Sequence, residues 1–376
     1  MRSVVKCLAI CLISASPFLF AADAKPTAKV TPGSEQLIYL GTWPHTIRVV
    51  DLIKEKVIDN IDLPTDIARI LVLSPDKTKL YAQSLRDNSI VTIDLKTRKV
   101  VDHFSLNTPT ETDRLSGLAI DPTGKTLYSV MTKITKQRDH YEIAEPKFIA
   151  IDLEQKKIVR SGDFPKDESP SARSLLRVSP DGKSLYAFRQ QILVMNTSDF
   201  KLEKKIDLGL AAAPPGMESL QLNVLDDPNE APGKLMSIFN ASDPYVHRQI
   251  FGIAEIDLSK QTFELTPIGP SAVSIQPMLM SPDRKLGYTV AVNGTHGDRV
   301  TEFWVFDIAT KKLINKKEFV GRTRLNFGMT VDGKKLLIYN AGFEVEVYDA
   351  KTLALEKTIN LEGDTTSNII VAPIIR

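Results

Sequence analysis

The chain has 376 residues, with 48 Lys and Arg against 46 Asp and Glu, a formal net charge of +2 and two cysteines, Cys7 and Cys11. That balance argues against nucleic-acid binding, which usually rests on a net basic surface. Once an exported N-terminus is removed, no thiol remains to form a disulfide, ligate zinc, attach a c-type haem or carry a cysteine-derived quinone.

Residues 1–24 read as such an export signal. Arg2 and Lys6 give a basic start, residues 7–20 an apolar core too short to span a membrane, and Ala21, Ala22 and Ala24 a small-residue cleavage region. Cleavage after Ala22 removes two basic residues and brings the formal charge to balance. The bulky Ile10 before Cys11 disfavours a lipoprotein site, and a retained N-terminal anchor is the alternative. Residues 25–34, polar and holding Pro26 and Pro32, read as an arm or linker.

Residues 68–106 form one complete copy of a repeated unit. Ile70 to Leu73 is a short apolar run, and Ser74, Pro75 and Asp76 signal a turn. A second β-rich run starts at Lys79, a third includes Ile90, Ile93 and Leu95, and a fourth begins at Val100. Four short strands joined by tight turns predict an antiparallel meander. The motif that ends its third strand recurs at Asp51, Asp94, Asp152, Asn196, Asp257, Asp307 and Asp349, spaced by 43, 58, 44, 61, 50 and 42 residues. A base period of roughly 40 to 45 residues is that of one propeller blade. Tyrosines follow in step at 39, 81, 128, 186, 288 and 339, with a weaker anchor over residues 235–239, and read as packing between blades.

The first copy opens at its second strand, near Leu37 to Leu40, and a surplus run at Ile369, Ile370 and Val371 follows the last copy. The expectation is therefore an all-β fold: a seven-bladed β-propeller of four-stranded antiparallel blades over residues 35–376, its first blade completed by the C-terminal strand. Closure of this kind removes an exposed sheet edge.

In such blades the Ser-Pro-Asp-Gly and third-to-fourth-strand turns share one rim. The second-to-third and fourth-to-first connections share the other, and there the chain grows, at residues 131–146, 209–217, 240–249 and 293–301. Loops gathered on one face of a rigid scaffold are where binding usually resides. His45, His140, His247 and His296 fall in these connections, but on separate blades and without a ligand-pair spacing, so solvated histidines outweigh a metal site. Arg69, Arg114, Arg173 and Arg324 stand upstream of innermost strands at the channel mouth, where they suit either an anionic ligand or local pairing with Asp66, Asp113, Asp167 and Glu168. No nucleophile elbow, phosphate loop or paired carboxylates appear, and the turn aspartates read as backbone-bonding turn formers.

The repeated Ser-Pro-Asp-Gly-Lys-x-Leu-Tyr and Ile-Asp-Leu-x-Thr elements resemble the YVTN-type secreted propellers. Arg138, Asp139, His140 and Tyr141, followed by Pro146, Lys147 and Phe148, and the terminal segment 361–376, are similar to the β subunit of quinohemoprotein amine dehydrogenase. That resemblance implies a cofactor-free propeller of a periplasmic complex, packed against a small quinone-bearing subunit and assembled with a dihaem subunit. Tryptophylquinone and c-type haem would then belong to the partners only. It implies partner or pocket roles for Asp139, His140 and Tyr141. Asp243, Tyr245 and His247 on the residue 240–249 loop join them, because a cationic amine calls for carboxylate or aromatic groups. The arginine-lined mouth fits an acidic partner better than an amine. A stand-alone secreted binding or scaffold propeller explains the same repeat, and a lactonase-like hydrolase would require a metal or acid-base cluster that the scattered histidines support poorly.

Overall fold

A computed structural model describes residues 36–373 except 169–174, 189–190, 208–215, 218, 225–226, 228, 232, 321–324 and 340–341. The expected signal and N-terminal arm lie outside the described residues. The described strands form seven antiparallel sheets. The first joins β1 (Gln36–Thr42), β2 (Thr46–Asp51) and β3 (Lys56–Asp62) to the last strand, β30 (Thr365–Pro373), in the order β3-β2-β1-β30. Blade 2 runs from β4 (Ala68–Leu73) to β7 (Lys99–Phe104), blade 3 from β8 (Glu111–Ile120) to β12 (Lys157–Asp163), and blade 4 from β13 (Leu175–Val178) to β16 (Leu202–Asp207). Blade 5 runs from β17 (Ser219–Asn223) to β20 (Thr262–Pro270), blade 6 from β21 (Ser274–Ile275) to β25 (Lys312–Phe319), and blade 7 from β26 (Asn326–Met329) to β29 (Leu355–Asn360). Two blades depart from four strands. In blade 6 the innermost strand is split into β21 and β22 (Leu279–Met280), and blade 3 carries an added strand, β10 (Tyr141–Ile143).

Side chains alternate across each strand, so every blade offers an apolar face to each neighbour. Among the described residues seven buried clusters result, one at each junction. Tyr39 packs with Leu71 and Leu80 of blade 2, Tyr81 with Leu115 and Leu127 of blade 3, Tyr128 with Leu176 and Leu185 of blade 4, and Tyr186 with Leu235 and Phe239 of blade 5. Phe251 meets Met278 and Trp304 of blade 6, Tyr288 meets Leu336 of blade 7, and Tyr339 meets Ile38 and Leu40 of blade 1. Burial drives the Tyr39 hydroxyl up to about 12, against the nearby Arg98.

The register corrects one expectation. Each of Tyr39, Tyr81, Tyr128, Tyr186 and Tyr288 stands two residues after the partner of its third-strand Asp or Asn. In blade 7 that place is held by Leu337, because Lys335 pairs with Asp349, and in blade 5 it is held by Met236. Tyr339 lies two residues further on, where its hydroxyl accepts the Ile369 N–H at 2.9 Å. A shift of two keeps the side chain on the same face.

The turns on one rim follow a single chemistry. In every blade the Asp or Asn ending the third strand accepts a backbone N–H from the turn after it, as with Ile53 to Asp51, Thr97 to Asp94, Gln155 to Asp152 and Ser198 to Asn196. Lys260 bonds Asp257, Thr310 bonds Asp307 and Thr352 bonds Asp349 in the same way. Each turn closes with a left-handed residue, Glu55, Arg98, Lys156, Phe200, Gln261, Lys311 or Leu353. In six blades an irregularity in register follows directly in the third-to-fourth-strand ladder, as expected of turns that end in a bulge; in blade 5 it lies at the far end of the ladder, between Phe251 and Gly252.

The first-to-second-strand turns mesh between blades. Gly182 (φ 74°) and Gly333 (φ 66°) occupy left-handed positions, and beside each stands a proline from the corresponding turn one blade earlier, Pro122 and Pro282. A β-carbon at position 182 would lie 3.6 Å from Pro122, an ordinary contact, whereas at position 333 it would collide with the Pro282 ring. Gly182→Ala should therefore cost about 1 kcal/mol from backbone strain alone. Gly333→Ala should cost a further ~1–3 kcal/mol from overpacking, and chemical unfolding of both variants measures the difference.

Closure follows the expected pairing: Leu40 faces Ile369, Tyr39 faces Ile370 and Ile38 faces Val371. Ser367 Oγ accepts the Gly41 N–H at 2.8 Å. Asn368 reaches to blade 2, where its amide accepts the Leu71 N–H at 2.8 Å and donates to the Leu71 carbonyl at 2.9 Å. Deleting residues 367–376 strips several apolar side chains from two junctions, at about 1.5–3 kcal/mol each. Against a total stability of about 5–15 kcal/mol this should abolish soluble folding. A truncated chain that melts like the intact one would refute the role of this strand.

Candidate partner-docking rim

The rim opposite the meshed turns has a different surface. Trp43, Leu85, Phe343 and the pair Tyr245 and Val246 sit exposed on second-to-third-strand connections, as do Tyr141 and Ile143 of β10. Val273 and Val320 are exposed on fourth-to-first connections, which emerge on the same rim. On the meshed rim, Ile53 is the one comparable exposed side chain on a turn among the described residues; the other exposed large apolar residues lie on outermost strands. Single exposed apolar residues are ordinary, but their collection on one face makes this rim the candidate interaction surface.

The loop between β18 (Lys234–Ser242) and β19 (Gln249–Asp257) shows how the sequence places two of them. Asp243 Oδ1 accepts the N–H groups of Tyr245 at 2.9 Å and Val246 at 3.3 Å, and the Asp243 N–H donates to the Arg248 carbonyl at 2.8 Å. His247 takes the left-handed conformation (φ 55°) that completes the reversal. The carboxylate thus serves the turn, and the turn presents Tyr245 at its tip, 84% exposed. The Tyr245 N–H, helped by the Val246 N–H and by Arg248 and His247, holds the Asp243 carboxyl below the usual carboxylate range.

In blade 3 the stretch expected to be a long loop is largely a hairpin. β9 (Thr126–Lys136) continues past the blade core, turns at Arg138 and Asp139, and returns as β10. His140 Nδ1 lies 2.8 Å from Asp139 Oδ1, both side chains being exposed. The six candidates Asp139, His140, Tyr141, Asp243, Tyr245 and His247 therefore reach one rim on two separate loops. They line neither the depression beside blade 5 nor the channel cavity. The first, about 460 Å³, is bounded by amides and hydroxyls including Gln221, Asn240, Gln249, Ser271 and Gln276.

His45 is exposed in the β1–β2 turn, and the backbone of His296 begins a 3₁₀ turn, His296–Asp298, between β23 (Leu286–Asn293) and β24 (Val300–Asp307). Among the described residues no three His, Cys, Asp or Glu side chains stand together as metal ligands do. Arg173 and Arg324 lie outside the described residues. Arg69 occupies an irregularity in β4, half-buried, and Arg114 is exposed on β8. Of the carboxylates weighed beside these arginines, Asp66 accepts the Arg86 N–H at 2.6 Å, Asp167 pairs with Lys205, and Glu168 lies 4.0 Å from Lys205. Asp113 is buried, and burial raises its carboxyl against the pull of Lys133.

Sequence reasoning missed the channel cavity of about 310 Å³, lined by Val72, Phe327, Met329, Tyr339 and Ile369 with Asp227 and Glu230. Asp227 is structural there. Its two oxygens accept the Asn229 and Met280 N–H groups at 2.9 and 2.8 Å, tying blade 5 to blade 6, while burial raises its carboxyl. No periodic signal marks this carboxylate.

No family model and no curated protein matches the sequence. Among solved structures, a functionally unknown protein from Desulfotomaculum acetoxidans DSM 771 is similar with a TM-score of 0.58 at 12% identity, over 90% of this chain and 99% of that one. Dihydro-heme d1 dehydrogenase NirN in complex with DHE gives 0.54 at 16% identity, over 92% and 77%. Kuenenia stuttgartiensis hydrazine synthase gives 0.51 at 14% identity, over 81% and 95%. At these identities the likeness is one of fold, the seven-bladed propeller. No helix among the described residues is long and apolar enough to cross a membrane.

The Asp243 turn yields a signed expectation. A lowered folded-state value means that its stabilisation is complete above the usual carboxylate range, about pH 4, and is lost as pH falls through that lowered value. Hydrogen-exchange protection at the Tyr245 N–H, corrected for intrinsic rate, should be flat at neutral pH and collapse in acid. In Asp243→Ala it should be low throughout.

Proposed function

We propose that this chain is the cofactor-free propeller subunit of an exported oxidoreductase complex resembling quinohemoprotein amine dehydrogenase, and that its apolar rim covers a quinone-bearing partner. The observation that carries the reading is the gathering of Trp43, Tyr141, Ile143, Tyr245 and Val246 on one rim while the opposite rim is sealed by its own turns. Exposed aromatic anchors on rigid turns favour protein recognition, because large apolar area is offered with little conformational freedom left to lose. The family-like segment 138–148 runs from the tip of the blade-3 hairpin through β10 and into the next strand of that blade.

In this reading the amine, the tryptophylquinone and the c-type haems are handled by partner subunits, and the propeller supplies a fixed wall that excludes water. Asp139 and Tyr141 would stand at the edge of that wall, with Asp243 confined to shaping its turn. The Arg114 side chain would meet acidic groups of a partner.

The test is affinity purification of the chain from its native envelope fraction, with haem and quinone redox staining of the chains that accompany it. Stained partners are expected, and the double variant Tyr245→Glu, Val246→Glu should lose them while melting like the parent. Recovery as an unstained monomer without amine-dependent dye reduction would overturn the complex and favour a stand-alone binding propeller.

A further inference from the structure

The blade-3 hairpin ends in a strand whose outer edge carries unused backbone groups. In the β9–β10 ladder Tyr141 faces Lys136, Glu142 faces Thr135 and Ile143 faces Ile134. Gln137 N–H bonds the His140 carbonyl and Ala144 N–H bonds the Lys133 carbonyl, each at 2.9 Å. Antiparallel ladders alternate hydrogen-bonded and non-hydrogen-bonded pairs, so Glu142 and Thr135 form the bonded pair between those two. The backbone N–H and C=O groups of Tyr141 and Ile143 then point away from β9. In the sheet order β10-β9-β11-β12, where β11 is Lys147–Asp152, β10 is terminal.

The space outside it is a continuation of the lane of β12. β12 runs beside β11 (Lys147–Asp152) and ends at Asp163 opposite Lys147, after which the Phe164 N–H turns in to the Pro146 carbonyl at 3.3 Å. Among the described residues no strand occupies the lane beyond. The two faces next to this edge differ in chemistry. One presents Tyr141 and Ile143, 66% and 69% exposed, continued across β9 by Ile134. The other presents Glu142, which accepts from Gln137 Nε2 at 3.3 Å, beside Thr135 and the Glu111–Lys133 ion pair at 2.9 Å.

We propose that this edge receives an extended segment of a partner polypeptide as an added strand, and that the segment alternates apolar with basic residues. Its apolar side chains would lie against Tyr141 and Ile143 and a Lys or Arg would stand opposite Glu142, the cross-strand pairings that stabilise a sheet. Its backbone would satisfy the outward groups of Tyr141 and Ile143, as in other cases of strand addition. Edge strands left open in this way invite pairing. The inference deepens the docking reading above and rests on it for the rim, while specifying a binding mode that can be tested without the native partner.

The probe is a short labelled peptide of alternating valine and lysine, titrated against the purified full chain. Ile143→Pro removes one outward N–H and leaves the Glu142 and Ala144 bonds to β9 in place, because proline is tolerated on an edge strand. It should weaken binding by about fivefold, as should N-methylation of alternate peptide residues, because each removes a backbone hydrogen bond of the added ladder. Glu142→Lys should weaken the lysine peptide and favour its glutamate counterpart, and Tyr245→Glu should leave peptide binding unchanged. No binding by the parent chain, or equal binding by Ile143→Pro or by the N-methylated peptide, would overturn the added strand. A dimer of the purified chain that Ile143→Pro disperses would assign the edge to a second copy and also overturn it. Recovery of the chain as an unstained monomer with intact peptide binding would be failure of the docking reading alone, and stained partners without peptide binding would be failure of the strand alone.

Discussion

A four-stranded blade cannot bury both of its faces by itself, and the whole architecture answers that constraint. Each junction is a buried cluster shared by two neighbours, so stability is distributed around the ring and depends on the last junction being made. The pairing of β30 with β1 makes it. Asn368 extends that pairing sideways, because its amide matches one N–H and one carbonyl of Leu71 on the adjacent innermost strand. The same device recurs where Asp227 and Asn229 reach the N–H and carbonyl of Met280. Side-chain amides and carboxylates here serve the unpaired inner edges that face the channel, where an orphaned donor would cost about 1–3 kcal/mol.

The division of labour between the rims follows from how turn polar groups are satisfied. On the meshed rim, Ser, Thr and Asp side chains bind their own backbone, so little hydrogen-bonding capacity is left for anything else. Asp181 is typical: the Ser179 hydroxyl, then the Lys183 N–H, hold its carboxyl low. The other rim is built from connections of unequal length, and its apolar tips stand exposed. Recognition is therefore concentrated at one end of the channel axis by local turn chemistry.

The repeat was legible because two independent signals coincide: alternating apolar positions that face a junction, and an aspartate at a fixed place where the third strand ends. Both have local causes. Tyr339 was assigned to the wrong position within its strand because a side-chain period of two gives the same face at either position, and only the pairing of Lys335 with Asp349 tells them apart. The blade-3 hairpin read as a loop because Lys133, Thr135 and Lys136 break the apolar alternation expected of a packed strand. It stands outside the core, and its strands are held by backbone pairing. The candidate residues of the site were partly legible, since loop length located the rim. Exposure of Trp43 or Tyr245 was not, because a sequence does not record which aromatic lacks a neighbour. Nor was the use of the Asp243 carboxylate by its own turn, which depends on the geometry of the residues that follow it.

The contact of each turn glycine with a proline one blade earlier has a consequence for how this scaffold can vary. Pro122 sits against the Gly182 turn and Pro282 against the Gly333 turn, so these turns behave as teeth of fixed pitch. Lengthening one would force its neighbour out of register and carry the misfit around the circle. Connections at the other end engage no such teeth, and insertions there leave the pitch unchanged. Variation in length is thereby channelled to one end, which suits the fold to accepting grafted loops there.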